Sequence, residues 1–275
     1  MILYLHIVIH FQKGEKMRNL IDRHKALTYY ILAFSFSGVL VSLQHFITNA
    51  RDYSLSLPQL SPAIAVLLIA FITKNKSIFT DIKNGFFFSR KLLIWVFTIL
   101  LTVVASVTIA SFYLSSLGNL YKPWQGTPAF YIINVLFLVL GVAFEEIGWR
   151  GFWLPELSKR YSFFLSSIIV GVFWGIWHMN FGLGIIGYIA YIMFTTLNSI
   201  LMSVIYRLSK SNLVLMVLWH FLINLSFNIF LYKRVSAESF VAIDILLGTI
   251  CIAAIIWKRK MLFKMHDQAA DTINT

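Results

Sequence analysis

Apolar residues run through this chain in long blocks, and the charged residues fall mostly between the blocks rather than alternating through them. Lipid offers no partners for free backbone N–H and C=O groups, so a spanning segment is a helix of about 20 mainly apolar residues. Eight runs approach that length: 29–47, 55–72, 92–113, 129–150, 163–179, 184–206, 213–232 and 240–257. Pro58 and Pro62 interrupt the first half of the second run, the fifth is short, and the turn at 179–183 is tight. The pattern predicts an all-α, polytopic membrane bundle of about eight transmembrane helices. Residues 1–28 read as an N-terminal cytoplasmic or interfacial segment, 29–257 as a single membrane domain and 258–275 as a basic tail.

Composition sharpens this. Of 275 residues, 59% are apolar and only 12% are charged, about half the charge of a soluble domain. Disordered chains, secreted disulfide scaffolds and nucleic-acid modules are excluded on that balance. The lone Cys251 allows neither an internal disulfide nor a thiolate metal cluster. The net charge of +12 reads as a topology signal instead of a nucleic-acid footprint. Counting along eight spans, 19 of the 23 Lys and Arg fall on the side of the termini. Only Arg51, Lys122, Lys233 and Arg234 fall on the other. The positive-inside rule then predicts both termini in the cytoplasm of a bacterial-type plasma membrane.

Two local features carry little functional weight. Residues 1–12 are apolar and include His6 and His10, but no basic n-region precedes them and no cleavage site follows. An interfacial helix or a start at Met17 is expected. Residues 182–187 match GxGxxG, yet that fingerprint needs a preceding strand, and here it opens a membrane helix. Close helix packing explains it better, as it does the GxxxG pair of Gly171 and Gly175.

Ionisable groups inside a span cost about 2.5–3.5 kcal/mol on insertion scales, which makes them functional candidates. The fourth run ends in Glu145, Glu146 and Arg150. Adjacent carboxylates point about 100° apart on a helix, so their roles differ. Glu146 and Arg150, four apart, can pair, leaving Glu145 to face a neighbouring helix with its pKa raised toward that of a general base. The bland reading is a juxtamembrane ion-pair cluster. His178 ends the aromatic stretch WGIWH in the fifth run, with Trp174 one turn before it on the same face; alone it reads as a core histidine. His220 and Asn224 share a face of the seventh run, extended by Asn228, and could donate to an oxyanion or act as interhelical polar glue. Asp244 and His45, near outer span ends, read as structural. Two carboxylates, two histidines and an asparagine on three spans are hard to explain as independent accidents.

The order EExxxR, an aromatic stretch ending in His, then HxxxN, on separate spans of a basic eight-span protein, resembles the CPBP family. These are the CAAX-protease and bacteriocin-processing (Abi) intramembrane proteases. The likeness covers about 129–232 and is strengthened by EEIGWRGFWLPEL followed by WGIWH. It implies that Glu145 and His178 activate a water, that Glu146 and Arg150 pair or support, and that His220 and Asn224 stabilise the oxyanion. The family's second motif is FxxxH; here position i−4 is Trp174, with Phe173 beside it. The resemblance leaves two mechanisms. In one, Zn²⁺ is held by His178, His220 and Glu145, making a metalloprotease. In the other Glu145 is itself the base, the version preferred here; HExxH is absent, and His and Glu on separate helices fit both.

Counting inward at 1.5 Å per residue puts Glu145 and His220 about 8–12 Å from the cytoplasmic span ends but His178 at about 22 Å. A tilted fifth helix or a deeper end to the fourth must close that gap. A polar cavity open to the cytoplasm is expected to bring water to the site. The expected partners are the lipid bilayer and a peptide or membrane-protein substrate, in CAAX-type processing or bacteriocin self-immunity. A non-catalytic scaffold or immunity protein of the same fold is the main alternative, and a small transporter the third.

Overall fold

The protein, in a computed structural model, is described over residues 15–46 and 56–264. The segment with His6 and His10, Ile47, Arg51, Leu55 and residues 265–275 of the basic tail lie outside the described residues. All eight apolar runs fold as helix, and no strand occurs among the described residues.

The order is α1 (Lys25–Phe46), a 3₁₀ turn (Leu57–Leu60), α2 (Ser61–Thr73), α3 (Ser77–Gly85), α4 (Leu93–Ser116) and α5 (Pro128–Gly148). A π-helical turn (Trp149–Trp153) then leads into α6 (Leu154–Ser158). The chain continues through α7 (Phe163–Trp177), α8 (Gly184–Leu208), α9 (Leu213–Phe230) and α10 (Ala237–Phe263). By length and composition six helical runs can cross a membrane: α1, Arg90–Ser116, Pro128–Ser158, Phe181–Leu208, α9 and α10. Leu57–Thr73 and α7 are shorter apolar helices.

Local chemistry sets the boundaries. Pro58 and Pro62 cannot donate to a preceding carbonyl, so the second run starts as a 3₁₀ turn and becomes α-helical only at Ser61. Thr127, Ser162 and Asn212 each accept a bond from the backbone N–H three residues on, capping α5, α7 and α9. Ser236 and Ser239 form a capping box at α10.

Helix α9 is central, packed on α5, α4 and α8, while α8 also packs on α7 and α10 and α2 fills between α1 and α5. The α7–α8 contact is close because Gly171 and Gly175 carry no Cβ. One at Gly171 would stand 2.5 Å from the Thr196 Cα, and one at Gly175 2.5 Å from the Thr195 hydroxyl. The packing role expected of that glycine pair holds. Gly184, in the GxGxxG match, adopts φ +70° where the 3₁₀ turn Phe181–Leu183 meets α8, with no strand preceding it among the described residues.

Two features depart from the sequence reading. Ser77–Gly85 is an additional helix, α3, lying under the start of α9; a Cβ at Gly85 would meet the Leu213 side chain at 2.8 Å. The fourth run does not end at Arg150 either, but stays helical to Ser158. Arg150 mimics a membrane exit in the sequence, yet it is fully buried and paired. Pro155 lacks the N–H that would bond back to Gly151, and the wider π turn just before it accommodates the loss.

These departures close the depth gap. Glu145 is 13 residues from Ser158, about 20 Å along the helix, against about 22 Å for His178 from Phe163. The start of α9 is itself sunk: Asn212 is fully buried and its carboxamide donates to the Phe87 carbonyl at 2.8 Å.

Candidate active site

Helices α5, α7 and α9 bring the predicted residues together around Trp174. Glu145, Glu146 and Arg150 are 0% exposed and His220 is 2% exposed. Burial on that scale is tolerated only when charges are paired and their remaining lone pairs satisfied.

Glu146 meets both requirements. Arg150 Nη1 donates to its Oε1 at 2.9 Å and its Oε2 at 3.1 Å, and His220 Nδ1 lies 2.8 Å from the same Oε1. An ionised carboxylate only accepts, so Nδ1 of His220 carries the proton in that bond. The Arg150 guanidinium also lies over the Trp174 ring, 4.7 Å from its centroid. The expected i,i+4 pair is therefore present, and it holds His220 by its inner nitrogen.

Glu145 is held differently. Trp174 Nε1 donates to its Oε2 at 3.1 Å, and Gln59 Nε2 donates to its Oε1 at 2.8 Å. Gln59 comes from the 3₁₀ turn before α2, which the Gln44 side chain ties to α1 by accepting from the Leu57 N–H at 2.8 Å. Room for the Gln59 carboxamide exists because Gly141, one turn before Glu145, has no Cβ to collide with it. Sequence reasoning missed Gln59. Its only signal was a polar side chain between two prolines in an apolar run.

His178 caps the end of α7, with Nδ1 2.9 Å from the Trp174 carbonyl. A carbonyl only accepts, so Nδ1 bears the hydrogen and Nε2 of the neutral ring keeps its lone pair. Trp174, Trp177 and Tyr191 pack edge-on around the ring, and His220 stands edge-on to Trp174 at 4.8 Å. Trp174, in the place of the family's phenylalanine, thus has an N–H that phenylalanine lacks, and spends it on Glu145.

His178, His220 and Asn224 line one cavity of about 280 Å³, together with Trp174, Asn180 and Asn228. Glu145, Glu146 and Arg150 form the layer behind it. Among the described residues no three His, Cys, Asp or Glu side chains are grouped so as to hold a metal ion. Both glutamates already spend oxygens on protein donors, so the zinc set of His178, His220 and Glu145 does not fit this arrangement. Asp244 and His45 are not part of the cluster.

Fold and site define a polytopic helical membrane protein with a buried glutamate–histidine centre. The family described as Type II CAAX prenyl endopeptidase Rce1-like matches residues 126–226, which contain Glu145 through Asn224. The chain is also 24% identical over 270 residues to CAAX prenyl protease 2 of Methanococcus maripaludis, covering 86% of this chain and 95% of that one. The likeness to the CPBP intramembrane proteases, carried in the sequence by three motifs, stands on both.

Proposed function

We propose that the protein is an intramembrane endopeptidase that hydrolyses a peptide bond with a water activated by His178 and Glu145. The observation that carries the reading is the meeting of His178, His220 and Asn224 on one cavity, backed by two buried carboxylates. The sequence favours Glu145 as the base, but both its oxygens accept from Gln59 and Trp174 and it does not line the cavity, so His178 takes that role and offers the lone pair of Nε2 to the attacking water. Glu145, one tryptophan away, supplies the negative charge that stabilises the imidazolium so formed. Glu146 keeps His220 fixed through Nδ1; in the imidazolium form the ring presents Nε2–H, which with the Asn224 carboxamide binds the oxyanion of the tetrahedral intermediate. His178 then returns its proton to the leaving amine.

The relative from Methanococcus maripaludis is named for CAAX prenyl substrates; for this chain the proposed class is a peptide or membrane protein held in the bilayer. Purified protein in lipid nanodiscs, given a membrane-peptide library and read by mass spectrometry, tests this. Cleavage by the wild type that is lost in His178→Ala and Glu145→Gln, with helicity and melting temperature retained, is expected. Equal cleavage by the variants would overturn the assignment, as would activity that chelators abolish and zinc restores for the metal-free mechanism.

A further inference from the structure

On every helix that lines the cavity, the lining lies to one side of the catalytic residues. On α9 it runs from His220 through Asn224 to Asn228, toward the C-terminus of that helix. On α7 it goes from Trp174 and His178 on to Asn180, past the helix end. On α8 and α10 it uses N-terminal positions, Tyr191 and Phe240, and on α5 it uses Leu138, which precedes Glu145. All of these converge on the end of the bundle that carries the α4–α5, α7–α8 and α9–α10 connections.

The opposite end is sealed against the site. The first two turns of α9 present Leu213, Leu215, Met216 and Trp219, none more than 1% exposed. Trp149, Phe152 and Leu154 close the same level on the α5–α6 run. A separate pocket of about 340 Å³ at that end, lined by Asp81, Lys159 and Lys210 among others, shares no lining residue with the site cavity.

The sealed end is also the basic one. Lys74, Lys76, Lys83, Arg90, Lys91, Lys159, Arg160 and Lys210 all sit in or beside its connections. The cavity end has Lys122, Lys233 and Arg234 among the described residues, and Arg234 is buried and bonded to the Asn119 carbonyl at 2.8 Å. Lys- and Arg-rich loops stay in the cytoplasm.

From these two asymmetries together we infer that the active-site cavity opens away from the cytoplasm, and that its substrate is an extracytoplasmic or exported peptide segment. This reverses the cytoplasmic opening expected from sequence, and it rests on the proteolytic reading above for the word substrate. The lining adds the chemistry: apart from the two histidines it holds no ionisable side chain other than Tyr191, and pairs apolar and aromatic walls with the amides of Asn180, Asn224 and Asn228. Such a wall suits an uncharged, apolar stretch around the scissile bond, its backbone bonded by carboxamides.

Single cysteines provide the test. Phe181→Cys, exposed at the cavity end, and Lys210→Cys, exposed at the basic end, are each placed in a Cys251→Ser background and treated with a membrane-impermeant maleimide on intact cells. Labelling of Phe181→Cys in intact cells, with Lys210→Cys labelled only after permeabilisation, is expected. The reverse pattern overturns the inference. A second arm adds quenched-fluorescence peptides with apolar centres and charged, impermeant ends to sealed vesicles of known protein orientation. Cleavage is expected only where the Phe181 end faces the added peptide; cleavage only from the Lys210 end overturns the access route. If the same peptides stay intact in detergent as well, the proteolytic reading fails, while the maleimide pattern still decides the orientation.

Discussion

Each glutamate of the EE pair has its own set of partners, and the proposed mechanism gives the two different work on that difference. Glu146 is paired with Arg150 and also holds His220; Glu145 receives only neutral donors, Gln59 and Trp174. Removing one partner of a buried ion pair leaves a bare charge and costs about 3–5 kcal/mol. Arg150→Ala is therefore expected to melt far below the wild type, and the double variant Glu146→Leu/Arg150→Met to recover most of that loss while remaining inactive, because His220 has lost its orienting oxygen. A double variant that cleaves normally would reduce the pair to scaffolding. In the proposed mechanism Gln59, which donates to Glu145, acts as a positioning residue. A hydrogen bond to a charged group contributes about 1.5–3 kcal/mol, so Gln59→Leu should lower kcat roughly ten- to a hundredfold with KM unchanged. A change confined to KM would place Gln59 in binding instead.

Among the helices, α7 depends most on its neighbour. It is only 15 residues long, and its seat on α8 is set by Gly171 and Gly175. A leucine at 171 would drive side-chain atoms into the α8 backbone and tilt α7, carrying Trp174 and His178 off Glu145 and out of the cavity. Gly171→Leu is expected to lose cleavage and several degrees of melting temperature, whereas Gly182→Ala, with nothing within 4 Å of the added methyl, should change neither. The motifs on α5, α7 and α9 were readable because membrane helices put ionisable residues where only pairing or function can keep them. What the sequence hid has a physical cause in each case. Arg150 reads as a span boundary until its buried partners are known. The π turn is invisible in an aromatic string such as WRGFW. Gln59 meets Glu145 across 86 residues of chain, a distance no local pattern encodes.

At the scale of the whole molecule, the bundle is asymmetric: one end is basic and packed shut by tryptophans and leucines, and the other holds a cavity with few charges around it. Hydropathy gave the eight apolar runs and charge predicts a sidedness, but neither could say which end admits solvent. That depends on side chains from five helices meeting, and so on the fold. The asymmetry also predicts that polar substitutions will be tolerated unequally. Asn228→Asp, at the cavity, should impair cleavage of apolar peptides more than Asp81→Asn at the sealed end, a comparison readable from kcat/KM on one peptide.

The account turns on three helices converging to split water, and hydrolysis in ¹⁸O-enriched water tests it most directly. Wild-type protein in nanodiscs should release a product whose new carboxyl terminus carries the heavy oxygen, while folded Glu145→Gln and His178→Ala yield no product. Product formed by either variant at the wild-type rate would contradict the account.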